Sequence, residues 1–306
     1  MRLLVSGVQS KCQAFHAVDT ERSNEGDRAI LLFLRSSVSA MTLLASDLSA
    51  FFHPYLHNVL LALLQLVGTN EVALEADIDR CFHILATALP ARLAVPALRT
   101  HISPLLSLGP TPTRRLMDFL SKIWHSLDRK VITAYQPELS SIVILTLDYR
   151  REHLREITSN ISEDVEEVET AIISCAVEFC IKLTEVELKS FLLKVGEWKN
   201  LGSGEGRAST FFQLMNALCL KLRNLFVPML SYFWSDMITA IEKVSTFSFQ
   251  SKSKKRKSIE DTAVTQVHDL SKEPLSCARW VLETLQSACG HDADGFIDEV
   301  ISIYYF

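Results

Sequence analysis

Glycine and proline are scarce in this chain, ten and nine in 306 residues, and strand-like alternation closed by Asn-Gly or Asp-Gly turns is almost absent. That composition excludes a fold of many short strands and favours helices. Long hydrophobic runs are missing too. The longest apolar segment, Val59 to Val67, is interrupted by Gln65 and falls short of the roughly 20 residues that a membrane span needs. At the amino end, Arg2 is followed by only Leu3-Leu4-Val5 before Ser6 and Gly7, too little for a secretory apolar core. The sequence therefore predicts neither a secreted nor a membrane-spanning chain.

An excess of positive charge is also absent. The net charge is −5 and the pI is near 6.0, so no global field holds nucleic acid and any RNA contact must be local. Seven cysteines without a CxxC pair form neither a disulfide framework nor a zinc ribbon, and suit a reducing compartment as core filler. What is present is bulk: 48% hydrophobic and 22% charged residues describe a folded chain with a large core. The length allows two compact domains or one continuous array.

Residues 1–28 are polar and weakly patterned. From Ala29 to Val244, apolar stripes at helical spacing follow one another: Leu74, Ile78, Cys81, Phe82, Leu85, Leu89; then Leu116, Phe119, Leu120, Ile123, Trp124, Leu127; then Ile172, Cys175, Ala176, Phe179, Leu183. Pro54, Pro96, Pro137, Pro228 and Pro274 fall at intervals near 45 residues or twice that, the period of HEAT or armadillo helix pairs at roughly 40 to 47. The expected fold is all-α, a HEAT-like α-solenoid of antiparallel helix pairs over 29–244. A basic loop is expected over 245–273 and a terminal helix pair over 274–306.

The densest stretch runs from Leu183 to Val244 and is broken by the glycine-rich Leu201 to Gly206. Its second half carries Phe211, Leu214, Met215, Leu218, Leu222, Leu225, Phe226, Met229 and Phe233 in steps of three and four, the pattern of a helix laid between neighbours. Ahead of it, Glu163, Asp164, Glu166, Glu167 and Glu169 precede an apolar helix and read as its solvated, acidic first turn. The pairs Arg114-Arg115 and Arg150-Arg151 read as caps or solvated helix ends.

Candidate chemistry is thin. Lys252, Lys254, Lys255, Arg256 and Lys257 form a dense cationic cluster suited to nuclear import or phosphate contact, or else a solvated loop. Cys81-Phe82-His83 and Cys12 with His16 offer soft ligands, but no second pair follows at a metal-site distance. GSGEG, Gly202 to Gly206, lacks the Lys-Ser/Thr of a phosphate loop and reads as a turn between helices. His53, His57, His101, His125 and His153 are scattered. No GxSxG motif or family-specific cysteine signature is present, so neither an enzyme nor a bound cofactor is expected. An array without an active site works through its extended surface.

The run CIKLTEVELKSFLLKVGEW, Cys180 to Trp198, followed by GRASTFFQLMNALCLKLRNLFVP, Gly206 to Pro228, resembles the carboxy-terminal region of the HEAT repeat-containing protein 1 family. Leu89 to Thr100 and Asp292 to Asp298 support it, and the resemblance extends over roughly residues 85 to 300. It implies a non-catalytic nucleolar scaffold of the small-subunit processome, supporting pre-rRNA processing, small-subunit biogenesis and rRNA gene transcription. The implied partners are processome proteins and a pre-ribosomal particle containing small nucleolar RNA, with direct RNA contact left open and neither membrane nor small-molecule substrate. Members of the family are several times longer, so the chain is expected to correspond to the end of one. Rival readings are a transport-receptor-like adaptor, a helical enzyme using Cys81 and His83, and a chain without independent activity.

Overall fold

The computed structural model describes residues 5–11, 24–67, 72–153, 162–201, 206–254 and 272–291, with side chains described for all of these except 24–27, 162–164, 245–254, 272–273 and 291. Among the described residues every regular element is a helix and no strand occurs. The chain divides into two compact units, 1–146 and 147–306. That boundary falls inside the 29–244 run read from the sequence as one array.

The first unit opens with a short helix, α1 (5–11), which buries Val5 and Val8 one turn apart. The segment read as unpatterned thus contains a helix. It continues with α2 (Asn24–Asp47), the single turn α3 (Ser49–Phe52), α4 (Leu56–Leu66), α5 (Val72–Ala88), α6 (Ala91–Leu106), α7 (Pro110–Ser126), α8 (Arg129–Ala134) and α9 (Gln136–Leu147). Alternate helices stack into layers: α2 packs on α5 and α5 on α7, while α4 packs on α6. Both α4 and α6 also lie against α7. Short connections make sequence neighbours antiparallel, so the unit is built of HEAT-like helix pairs.

The α6–α7 connection shows how sequence forces the reversal. Gly109 sits at φ 115°, which side-chain-bearing residues rarely adopt, and Pro110 then starts α7 with its φ already helical. The buried Thr113 hydroxyl reaches the carbonyls of Gly109 at 2.7 Å and Leu106 at 3.2 Å, joining the end of one helix to the start of the next. The stripes on α5 and α7 face each other, and the Phe82 and Phe119 rings meet 5.4 Å apart. Burying each such side chain contributes about 1.5–3 kcal/mol. Pro96 lies inside α6 together with Pro104, not at a repeat boundary.

By length and composition, Arg28–Asp47 of α2 could cross a membrane, a match the sequence reading missed. In the structure its Leu34, Val38, Met41 and Ala45 stripe is buried, and Arg35 at its middle pairs with Asp77 of α5 at 2.8 Å.

The second unit comprises α10 (Tyr149–Glu152), α11 (Ser162–Lys182), α12 (Glu185–Lys199), α13 (Arg207–Leu222), α14 (Val227–Leu230), α15 (Trp234–Lys254) and α16 (Lys272–His291). At its centre α13 packs on α11, α12 and α16, and α16 packs on α15. A reciprocal capping box starts α12: the Thr184 backbone N–H donates to Glu187 at 2.8 Å, and the Glu187 N–H donates back to the Thr184 hydroxyl at 3.3 Å. Gly196 admits the edge of Phe233, since a Cβ there would lie 3.1 Å from that ring.

The apolar stripe of the densest stretch is not one helix. It runs along α13 to Leu222, where Arg223 takes φ 53° and breaks the helix. Beyond the break Phe226, Met229 and Phe233 return to the core, but Leu225 is 78% exposed, because the turn changes the phase that the spacing assumed. The expected loop over 245–273 begins as helix, since α15 continues to Lys254. No glycine or proline interrupts Trp234–Lys254 to stop it. Residues 255–271 lie outside the described residues, as do 292–306, where the partner of α16 in the expected terminal pair would fall.

Candidate functional site

Among the described residues, a cluster of partly buried charge surrounds Asp148, at the turn between α9 and α10. Arg207, in the first turn of α13, donates to it twice, Nε to Oδ1 at 2.7 Å and Nη2 to Oδ2 at 3.0 Å. Arg151 donates to the same two oxygens at 3.1 and 3.0 Å, and the Trp198 indole N–H donates to Oδ1 at 3.2 Å. The Arg207 guanidinium also lies 5.4 Å from the centre of the Trp198 ring and donates to the Leu201 carbonyl at 2.6 Å. Burial alone would raise the Asp148 carboxyl. The hydrogen bonds from Arg207 and Arg151, with their charges, outweigh it and hold the group below the ordinary carboxylate value.

A second carboxylate is fixed by Arg150 of α10 and Thr210 of α13. Glu169 on α11 is buried, accepting from Arg150 at 2.6 Å and from the Thr210 hydroxyl at 2.5 Å. This corrects the reading of the acidic run as a solvated first turn: Glu166 and Glu167 are exposed, but Glu169 turns inward toward a cation. It also corrects the reading of the arginine pairs. Arg150 and Arg151 diverge, one to Glu169 and one to Asp148, and Arg115 pairs with Asp79 at 3.0 Å.

Lys199, at the end of α12, is also buried. Its ammonium meets Asp236 of α15 at 2.6 Å and lies 5.0 Å from the Phe211 ring centre. These groups bind one another, so the chemistry of the region is that of a clamp joining α10, α11, α12, α13 and α15. Single-sequence reading gave no signal for them beyond the residue types.

The other candidates separate. Cys81 is buried, with burial pushing its thiol up to about 11 against a lowering hydrogen bond from Thr42. His83 is exposed on the same helix, so the two form no nucleophile and base. Burial likewise pushes the Cys219 thiol up to about 11 and raises Cys180, while Cys289 is exposed. His57 and His101, scattered in sequence, stack at 4.4 Å. Burial and then the charge of His101 lower His57. Among the described residues no three His, Cys, Asp or Glu side chains gather as a metal site would require. Lys252 and Lys254 lie on the last turns of α15 without described side chains, and Lys255, Arg256 and Lys257 lie outside the described residues.

Among the described residues, two of the open grooves lie on pairs of stacked helices. One, of about 540 Å³, lies between α5 and α7 and is lined by His83, Thr87, Asp118 and Lys122, and further along by Ser121, His125 and Ser126. The other, of about 450 Å³, lies between α13 and α16 and includes Asn216, Leu220, Glu283 and Gln286.

Comparison with known proteins places this architecture. The model of the BP28CT (NUC211) domain family matches residues 131–297, more than half of the chain. HEAT repeat-containing protein 1 of Danio rerio is 26% identical over 202 residues, covering 64% of this chain and 9% of that protein. The human protein of the same name is 27% identical over 201 residues, with the same two coverages, 64% and 9%. U3 small nucleolar RNA-associated protein 10 of Emericella nidulans is 22% identical over 202 residues, covering 62% of this chain and 11% of that protein. The chain thus spans about a tenth of the length of these curated relatives.

Proposed function

The chain belongs to the HEAT repeat-containing protein 1 family and carries its BP28CT (NUC211) domain, and from that premise we propose that it is a non-catalytic scaffold of the small-subunit processome. In this reading it acts in the nucleolus, binds processome proteins within a particle containing small nucleolar RNA, and supports pre-rRNA processing, small-subunit biogenesis and rRNA gene transcription. The observation that carries the reading is the match over 131–297 together with relatives named for association with U3 small nucleolar RNA.

The structure is compatible with it in a specific way. The buried charges are spent on one another, and the thiol of Cys81 is held in its unreactive form, so the polar faces of the stacked helices are the surface available for partners. The basic cluster Lys252, Lys254, Lys255, Arg256 and Lys257 serves nuclear import in this reading. Affinity purification of the tagged chain followed by mass spectrometry tests the proposal: processome subunits should be recovered, and cytosolic partners without any of them would overturn it.

A further inference from the structure

The side of α2 opposite its buried stripe is open and carries almost no charge. Leu34, Val38, Met41 and Ala45 face the core, while Arg28, Leu32, Ser36, Ser39, Leu43 and Asp47, at helical spacing on the other side, are all exposed. Leu32 is 65% exposed and Leu43 64%. Arg35, the one charged residue between Arg28 and Asp47, lies off this stripe and pairs with Asp77 of α5 at 2.8 Å. Charge therefore enters the stripe only at its two ends. The Ser36 hydroxyl donates to the Phe33 carbonyl at 2.9 Å, so covering it strands no donor. An array of stacked helices meets water through polar end faces, and this face is of the other kind: contiguous exposed apolar surface marks a contact site.

We infer that the occupant is the same face of a second copy of this chain, packed antiparallel about a two-fold axis that passes between Ser36 and Ser39. The order of residues along the stripe selects this occupant. From Arg28 to Asp47 its steps are four, four, three, four and four, the same in either direction. An antiparallel pairing centred between the serines therefore sets Leu32 of each copy against Leu43 of the other, and Arg28 of each against Asp47 of the other. Leucine meets leucine and cation meets anion at both ends, the self-complementarity that an isologous contact requires. A parallel pairing would instead set like charges together. The serines fall at the crossing point, where small side chains let the axes approach to the near end of the usual range of about 8–10 Å. Lipid is the poorer match, because interfacial helices carry Lys and Arg along a solvated polar side, whereas the other side of α2 is packed on α5. The paired stretch is only about 30 Å long, which places the dimer in the weak, transient class of interfaces. Residues 28–47 precede the family match at 131–297, so the inference stands apart from the scaffold reading.

The test is sedimentation velocity of the full chain from about 2 to 400 µM, a range suited to weak association. The weight-average coefficient should rise from the monomer value to the dimer value and stop there, since a two-fold contact closes. Leu32→Asp combined with Leu43→Asp should keep the chain monomeric throughout. Arg28→Asp alone and Asp47→Arg alone should each weaken dimerisation about threefold to tenfold. The exchange of both, Arg28→Asp with Asp47→Arg, should restore the parent's midpoint, a rescue that an effect on the fold of a single copy does not produce. Thermal melts of the variants should match the parent at low concentration, because every replaced side chain is exposed. A parent that stays monomeric over the whole range would overturn the inference, as would a double-aspartate variant that dimerises like the parent, or association that grows beyond two copies. Flotation of the chain with phosphatidylcholine vesicles, lost in the double-aspartate variant, would assign the face to lipid and overturn it equally.

Discussion

Arg207 grips Asp148 with two parallel hydrogen bonds, 2.7 and 3.0 Å long, and both side chains are largely buried. The pair attaches the start of α13 to the turn before α10, and Trp198 of α12 joins on the same carboxylate. Removing Asp148 would leave the Arg207 guanidinium buried without its partner, which for such pairs costs about 3–5 kcal/mol. Asp148→Ala should therefore lower the urea midpoint strongly with little change in slope. Arg207→Lys should rescue little, because a lysine cannot make the planar two-pronged contact. A midpoint for Asp148→Ala within error of the parent would contradict the clamp.

The same site sets an acid limit. Asp148 is held below its ordinary value when folded, so its stabilising contribution is present above the unfolded value of about 3.9 and is lost as pH falls through the folded one. Unfolding free energies of the parent and of Asp148→Asn should differ most near neutral pH and converge below about pH 4. Parallel curves from pH 7 into acid would mean that Asp148 titrates alike in both states.

Thiol reactivity separates a scaffold from the helical enzyme considered as its rival. With Cys81 and Cys219 each pushed up to about 11 by burial, alkylation near pH 8 should leave both unmodified while exposed Cys289 reacts ahead of them. Peptide mapping after brief iodoacetamide treatment reads the order directly. Fast modification of Cys81 in the folded chain would reopen the nucleophile reading.

Arg223 occupies φ 53° and ψ −130° at the end of α13, a region that costs side-chain-bearing residues about 1–3 kcal/mol. Arg223→Gly should therefore raise stability by about 1 kcal/mol, against the usual direction of a glycine substitution. Next to it, Leu225→Ser should be nearly neutral because that side chain is 78% exposed, whereas Phe226→Ala, fully buried, should cost about 3–5 kcal/mol. Equal losses at 225 and 226 would contradict the break in the stripe.

These cases mark what a single sequence can carry. Local periodicity identified the buried faces of α5, α7 and α11 almost residue by residue, since Leu74 to Leu89, Leu116 to Trp124 and Ile172 to Leu183 need only the 3.6-residue repeat. Leu225 escaped because one residue at positive φ shifts the phase, and nothing in the identity of an arginine announces that. Glu169 escaped because its partners, Arg150 and Thr210, lie 19 and 41 positions away. A charge run reads as solvated until the fold brings a cation to one of its members. Thr184 and Glu187, by contrast, form a capping box whose T-x-x-E spacing is local and therefore legible in the sequence itself. The groove residues His83, Lys122 and His125 are individually ordinary, and only the α5–α7 packing brings them to one face.

The most direct measurement of the central claim is sedimentation of the tagged chain from nuclear extract through a sucrose gradient, with small nucleolar RNA probed in each fraction. The scaffold reading predicts that the chain travels with large pre-ribosomal particles together with U3-type RNA, and that nuclease treatment moves it to lighter fractions. A chain that remains among free proteins at the top of the gradient while those particles sediment normally would contradict it.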